Sequence, residues 1–153
     1  MNHSDEKNNY YGLVTNKEGR ALALFIRQPF ATALSDGTKS IEIRSKYTSI
    51  RGNILICSTL LHDYPKAQGG CTIGIAELYD IKPVGELTDE EWEQTRVKDR
   101  SKVKGGYAWF FRNQSRVIEF PAYSKNKIGY ININLDDIYT YPKYVVYDKD
   151  IKC

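Results

Sequence analysis

The feature that most constrains this chain is a succession of short apolar runs, each about the length of a strand and each broken by Gly, Pro or Asn. Ala21-Leu22-Ala23-Leu24-Phe25-Ile26 is continuously apolar, the pattern of a strand covered on both faces. Asn53 to Cys57, introduced by Gly52, reads as a second buried strand. Cys71 to Tyr79 reads as a third, with Gly74 as a candidate bulge. Tyr107–Phe111 and Ser115–Phe120 predict a hairpin turning at Arg112-Asn113-Gln114, and Tyr130 to Ile133 predicts a further strand. Helical signals are brief. Pro29 suits a first helical turn, Phe30, Ala33 and Leu34 give an apolar stripe, and Gly37 suits a left-handed cap. Thr88 followed three residues later by Glu91 is a capping box. These elements predict an α+β domain, mainly β, with about six strands rolled into a closed or half-closed barrel and short flanking helices.

At 153 residues the chain is long enough for one domain with a real core. Residues 1–18 are polar without periodicity and read as a flexible N-terminal tail. The domain is expected over 19–134. A Tyr-rich extension with Tyr139, Tyr141, Tyr144 and Tyr147 follows over 135–153, packed on the domain or trailing from it. Pro65, Gly69 and Gly70 make the stretch from Leu60 to Gly70 a loop.

The junction after the first helix carries the chemistry. Gly37-Thr38-Lys39-Ser40-Ile41-Glu42-Ile43-Arg44 puts two cations and one anion within six residues. On a strand, Glu42 and Arg44 share a face, opposite Ile41 and Ile43, and Lys39 sits at the turn that feeds it. With Gln28 at the other end of the same helix, these side chains can converge on one pocket. A carboxylate, an amide and a guanidinium match the donors and acceptors of a nucleobase edge. Lys39 and Arg44 attract phosphate. Tyr47, Tyr107 or Trp109 could stack a base, a contact worth about 1–3 kcal/mol. The competing reading is a surface Glu42–Arg44 salt bridge worth at most about 1 kcal/mol.

Charge is unevenly placed. The chain carries +3, yet Arg96, Lys98, Arg100, Lys102 and Lys104 with one acid, Asp99, give their segment +4. The alternation would place all five cations on one side of an extended chain, a track for phosphate. A solvated loop is the equal alternative. Trp92 reads as the core anchor of the second helix. Cys57, Cys71 and Cys153 have no CxxC spacing, and with only His3 and His62 a Cys/His metal site is not expected. Free thiols in a reducing cytosol are the expectation. A Cys57–His62 nucleophile and base is a minor one, because nothing orients the pair. No apolar run approaches a membrane span and none forms a signal-peptide core, so a cytoplasmic protein without a membrane partner is expected. No cofactor is implied, and a monomer is the expectation.

Several landmarks in order give the chain a family resemblance. Ile26-Arg27-Gln28-Pro29-Phe30-Ala31, then Gly37-x-Lys39-x-x-Glu42-x-Arg44, then Arg51-Gly52 before an apolar strand, resemble the ASCH domain. Gly74-Ile75-Ala76 and Tyr107-Ala108-Trp109 resemble its later landmarks, so the resemblance spans roughly residues 21–133. It implies a PUA-like β-barrel with a cleft lined by Lys39, Glu42 and Arg44. It also implies a partner of single-stranded RNA, or a nucleoside or nucleotide. Some small members of the family are nucleases, or amidohydrolases acting on acylated cytidine. An enzyme of that kind would use Lys39 and Glu42 as its catalytic pair. The amidohydrolase members, however, carry Thr where this chain has Glu42, which ranks binding ahead of hydrolysis. The Gly-rich turn of many members is reduced here to Gly129 within Ser124 to Gly129.

Overall fold

The computed structural model describes residues 9–60 and 70–142. Its six strands are β1 (Ala21–Ile26), β2 (Ile41–Arg44), β3 (Gly52–Ser58), β4 (Thr72–Pro83), β5 (Tyr107–Arg116) and β6 (Ile128–Ile131). Two helices, α1 (Phe30–Asp36) and α2 (Asp89–Thr95), complete it with short 3₁₀ turns. The strands form one mixed sheet in the order β2-β5-β4-β3-β1-β6. Among the six strands of the described residues, β1 and β3 pair in parallel and the others antiparallel; α1 and β2 lie in the crossover between β1 and β3. The sheet curls into a half-barrel whose edges are β2 and β6.

The unbroken apolar run of β1 follows from its place in the sheet. Leu22, Leu24 and Ile26 pack in the cluster that α1 caps through Ala31 and Leu34. Ala21, Ala23 and Phe25 face a second cluster closed by Ile133, Leu135 and Ile138. All six residues of β1 are therefore buried, and alternation disappears.

Helix α1 starts and stops where the sequence indicates. Gln28 Oε1 accepts from the Thr32 N–H at 3.0 Å while its amide donates to Thr32 Oγ1 at 2.9 Å. Gly37 ends the helix at φ 88°, a left-handed conformation a Cβ would disfavour. The buried stripe is Ala31, Thr32, Leu34 and Ser35, while Phe30 turns outward and is 40% exposed. The expected stripe through Phe30 is thus rotated. Gly74 explains the rotation: a Cβ there would lie 2.3 Å from Ser35 Cβ and 2.7 Å from the Ser115 carbonyl. The missing side chain lets α1 sit directly on β4, and the ladder slips beside it, between Ile56 and Cys57.

The hairpin expected at Arg112-Asn113-Gln114 does not form. β5 runs unbroken to Arg116, and Asn113 takes φ 54° inside it. One extra residue on β5 is absorbed there as a bulge against β4, and Asn113 donates to Glu77 Oε1 at 2.8 Å. Asn tolerates the left-handed region whether the chain reverses or only bulges, so the turn signal was real but its outcome was set by β4.

The last strand arrives two residues earlier than expected, at Ile128–Ile131. Within the segment expected as a tail, Leu13 and Thr15 bridge to the sheet, at Asn53 and Ala21. Leu13 is buried, the Val14 N–H donates to the Asn53 carbonyl at 2.9 Å, and the Val14 carbonyl accepts from Leu22. Of the Tyr-rich extension, the Tyr139 carbonyl accepts from Ile118, and the Tyr141 hydroxyl donates to Glu119. Tyr144 and Tyr147 lie outside the described residues, as does most of the expected loop between Leu60 and Gly70. Among the described residues no helix is long and apolar enough to cross a membrane.

Candidate functional site

β2 pairs with β5 through Ile41–Phe110, Glu42–Trp109, Ile43–Ala108 and Arg44–Tyr107. Ile41 is buried against Ala108 and Phe110 on one face. Glu42 and Arg44 project from the other, as strand alternation requires. They reach a cleft of about 600 Å³ that also involves Phe30 and Arg27 from around α1 and the 123–127 segment opposite. Among the described residues, Arg27, Arg44, Lys125 and Lys127 line it as cations and Glu42 as an anion.

Lys39 stands behind that wall. Its side chain is buried, with Nζ 3.2 Å from Glu42 Oε1 and 5.4 Å from the centroid of the Phe30 ring. The ammonium also donates to the Thr95 carbonyl at 2.5 Å, at the last residue of α2. A helix C-terminus offers unpaired carbonyls and a partial negative charge, so the cation is doubly held. Ser40 ties the same turn to α2, its N–H and hydroxyl both bonding Gln94. Arg44 Nη1 approaches Glu42 Oε2 at 3.7 Å. Burial pulls the Arg44 guanidinium below its ordinary value while Glu42 pulls it back, and an arginine in that position stays charged. Glu42 is therefore a carboxylate clamped from behind by one cation and flanked along the strand by another.

The other expected site residues take other places. Gln28 is buried and committed to the start of α1. Trp109 is buried, 3% exposed, and its indole donates to the Lys46 carbonyl, so it offers no stacking face. Tyr107 is half-buried and meets Tyr47 edge-on at 5.7 Å, next to the cleft rather than in its wall. The hydroxyls of Thr32, Thr38 and Ser40, near the site in sequence, are engaged with Gln28, the Ala33 carbonyl and Gln94.

The basic segment is not an extended strip. Arg96 caps α2 at φ 61° and donates to the Thr38 carbonyl; Arg100–Lys102 form a 3₁₀ turn. Arg100 bonds Asp89 at 2.8 Å and lies over the Trp92 ring. Lys98, Lys102 and Lys104 remain exposed, outside the cleft wall. Trp92, expected in the core, is only half-buried, because Arg100 rather than an apolar layer covers it.

Cys57 is fully buried and desolvation pushes its thiol far up, which makes it a core residue and not a nucleophile. His62, its expected base, lies outside the described residues. The expectation of free thiols fails at Cys71, which is disulfide-bonded. Among the described residues no three His, Cys, Asp or Glu converge to hold a metal.

Sequence reasoning missed Phe30, Arg27, Lys125 and Lys127 as cleft residues. Lys125-Asn126-Lys127 held a signal, two lysines in the turn before the last strand, but sequence distance hid their approach to β2.

The six-strand half-barrel with Glu42 and Arg44 on a cleft wall agrees with the fold that the resemblance implied, while Lys39, expected in that wall, stands buried behind it. The ASCH domain profile matches residues 24–139. The chain belongs to the ASCH domain family. Among solved structures, this ASCH domain is similar to two point variants of the ASCH protein of Zymomonas mobilis. Each has a TM-score of 0.57 and 15% identity, covering 75% of this chain and 90% or 92% of the other. A further structure of ASCH from that organism has a TM-score of 0.51 and 18% identity, covering 65% and 72%. At such identity the likeness shows the fold alone, the α+β arrangement described above. No curated protein sequence matches the chain.

Proposed function

We propose that the cleft binds a nucleotide unit, free or within single-stranded RNA. One observation carries this reading: the Glu42 carboxylate, held by buried Lys39, faces a cleft whose other charged residues, among the described ones, are cationic. An isolated anion in a basic cleft suits a ligand that is anionic at one end and a hydrogen-bond donor at the other. A nucleotide has that polarity, with phosphate for Lys125 and Lys127 and a base edge for Glu42. The half-exposed Phe30 adds an aromatic face. Lys98, Lys102 and Lys104 would add diffuse phosphate attraction from outside the cleft.

The test is an NMR titration of isotope-labelled protein with short single-stranded RNA at low and moderate salt. Saturable shifts at Phe30, Glu42, Arg44 and Lys127 support the cleft. Shifts confined to 96–104 that vanish with salt mean only nonspecific phosphate contact. No binding at about 50 mM salt, where electrostatic contacts are strong, rejects the reading.

A second reading, hydrolysis of a modified nucleoside or RNA, is favoured by the Lys39–Glu42 pair alone. In it a water in the cleft, beside the Glu42 carboxylate, would be the attacking group, with Lys39 placed at 3.2 Å as electrostatic stabiliser. Lys39→Ala and Glu42→Ala would then each abolish turnover with the fold retained, and unchanged rates in both end this reading.

A further inference from the structure

We infer that the cleft selects guanine, with Glu42 and Arg44 as the residues that determine the choice; this rests on the nucleotide reading above. The two side chains leave the same face of β2, and Glu42 Oε2 lies 3.7 Å from Arg44 Nη1. The pair attract one another, and the guanidinium keeps further N–H donors, and the carboxylate further lone pairs, for a ligand. Along the strand they present acceptor, acceptor and donor. Guanine presents the complement on one edge: N1–H and the N2 amino group donate, and O6 accepts. Its two donors meet both carboxylate oxygens, a bidentate contact, while Arg44 reaches O6.

The other bases fit less completely. Uracil has a single N–H on its edge. Adenine offers one amino group and one ring acceptor, which engage one carboxylate oxygen and Arg44. Cytosine satisfies Arg44 through N3 and O2 but brings only its amino group to the carboxylate. In each case the base brings Glu42 one donor instead of two, and the bidentate, charge-assisted contact that guanine makes is lost. Glu42 has 13% of its side chain exposed, so water compensates poorly.

The carboxylate and the stacking face are held as one unit. The single ammonium of Lys39 contacts Glu42 Oε1 at 3.2 Å and lies 5.4 Å from the Phe30 centroid, and it is anchored on the Thr95 carbonyl. A base stacked on Phe30 therefore meets acceptors whose position is fixed before it arrives. Such preorganisation raises discrimination as well as affinity. Lys125 and Lys127 are exposed on the other wall, where they suit the phosphate of the same nucleotide.

The test is isothermal titration of the full chain at low salt with GMP, IMP, CMP, AMP and UMP. GMP should bind about tenfold more tightly than AMP, UMP or IMP; IMP differs from GMP only by lacking the N2 amino group. IMP binding as tightly as GMP, or CMP binding at least as tightly, overturns the inference. Glu42→Gln replaces one acceptor with a donor and should bring GMP and AMP within about twofold of each other, with the fold checked by circular dichroism. A guanine preference that survives that substitution also overturns it. Equal binding of all five nucleotides refutes guanine selection and leaves the nucleotide reading standing. Failure of all five and of short RNA refutes the nucleotide reading itself.

Discussion

Lys39→Met keeps the length of the side chain and deletes its charge, which isolates what the buried ammonium does. Two groups lose their partner: Glu42 Oε1 at 3.2 Å and the Thr95 carbonyl. At 3.2 Å and an effective dielectric constant of about 20, the Lys39–Glu42 attraction amounts to about 5 kcal/mol. Desolvation of both charges offsets much of that, so the pair is worth far less than its Coulomb energy. Removing its nearer cation leaves Glu42, 13% exposed, with Arg44 alone as its counter-charge, a loss of about 3 kcal/mol at the lower end for a broken buried pair. For a domain of this size that lowers Tm by about 6–12 °C. The assay is urea unfolding followed by the fluorescence of Trp109, whose indole is buried on the neighbouring strand. Lys39→Met, Glu42→Gln and the double variant complete a thermodynamic cycle. The double variant should be more stable than the sum of the single losses predicts, with a coupling of about 1–3 kcal/mol. Because the ammonium is buried, that coupling should persist in salt. A coupling below about 0.5 kcal/mol, within the error of additive sites, would refute the clamp.

Gly74→Ala should cost about 3 kcal/mol, because its Cβ would overlap Ser35 and the Ser115 carbonyl and lift α1 from the sheet. A fall in Tm of less than about 2 °C argues against close seating of α1. Thr88→Ala should cost about 1 kcal/mol by opening the capping box of α2. The Thr88 N–H holds the Glu91 carboxyl below its ordinary value; burial opposes that, and Lys82 reinforces it. A depressed carboxyl stabilises the fold above its ordinary range and loses that contribution as pH falls through the lowered value. Glu91→Gln should therefore flatten the loss of stability between about pH 5 and pH 3, measured by urea midpoints across that range, and an unchanged slope counts against the assignment.

Much of the frame was legible along the chain. Gly37 as a left-handed cap, the Thr88–Glu91 capping box and the placement of β1, β2 and β3 depend on local chemistry, and the structure keeps all of them. Glu42 and Arg44 share a face because a strand repeats every two residues, whatever surrounds it. The errors arise where a local signal has two outcomes. Asn113 can reverse a chain or bulge it, and only the length of β4 alongside made it a bulge. Alternating cations from Arg96 to Lys104 line one side only if the chain is extended. The cap at Arg96 and the turn at Arg100–Lys102 coil it instead. Trp92 and Trp109 carry the same side chain, yet α2 leaves the first half-covered while β5 buries the second.

The sequence by itself determined the places of β1 and β3, the helix caps and the presence of one anion between two cations at the start of β2. Those follow from backbone preferences and side-chain alternation, which act over a few residues. Tertiary structure alone decided that Lys39 stands behind Glu42 rather than beside a ligand, because the Thr95 carbonyl that holds it comes from α2, 56 residues away. It alone also brought Lys125 and Lys127 across from β2 and turned Phe30 into the cleft. Charge and aromatic groups are free to point anywhere on a local element. The contacts that choose among those directions come from distant parts of the chain, and sequence spacing does not encode them.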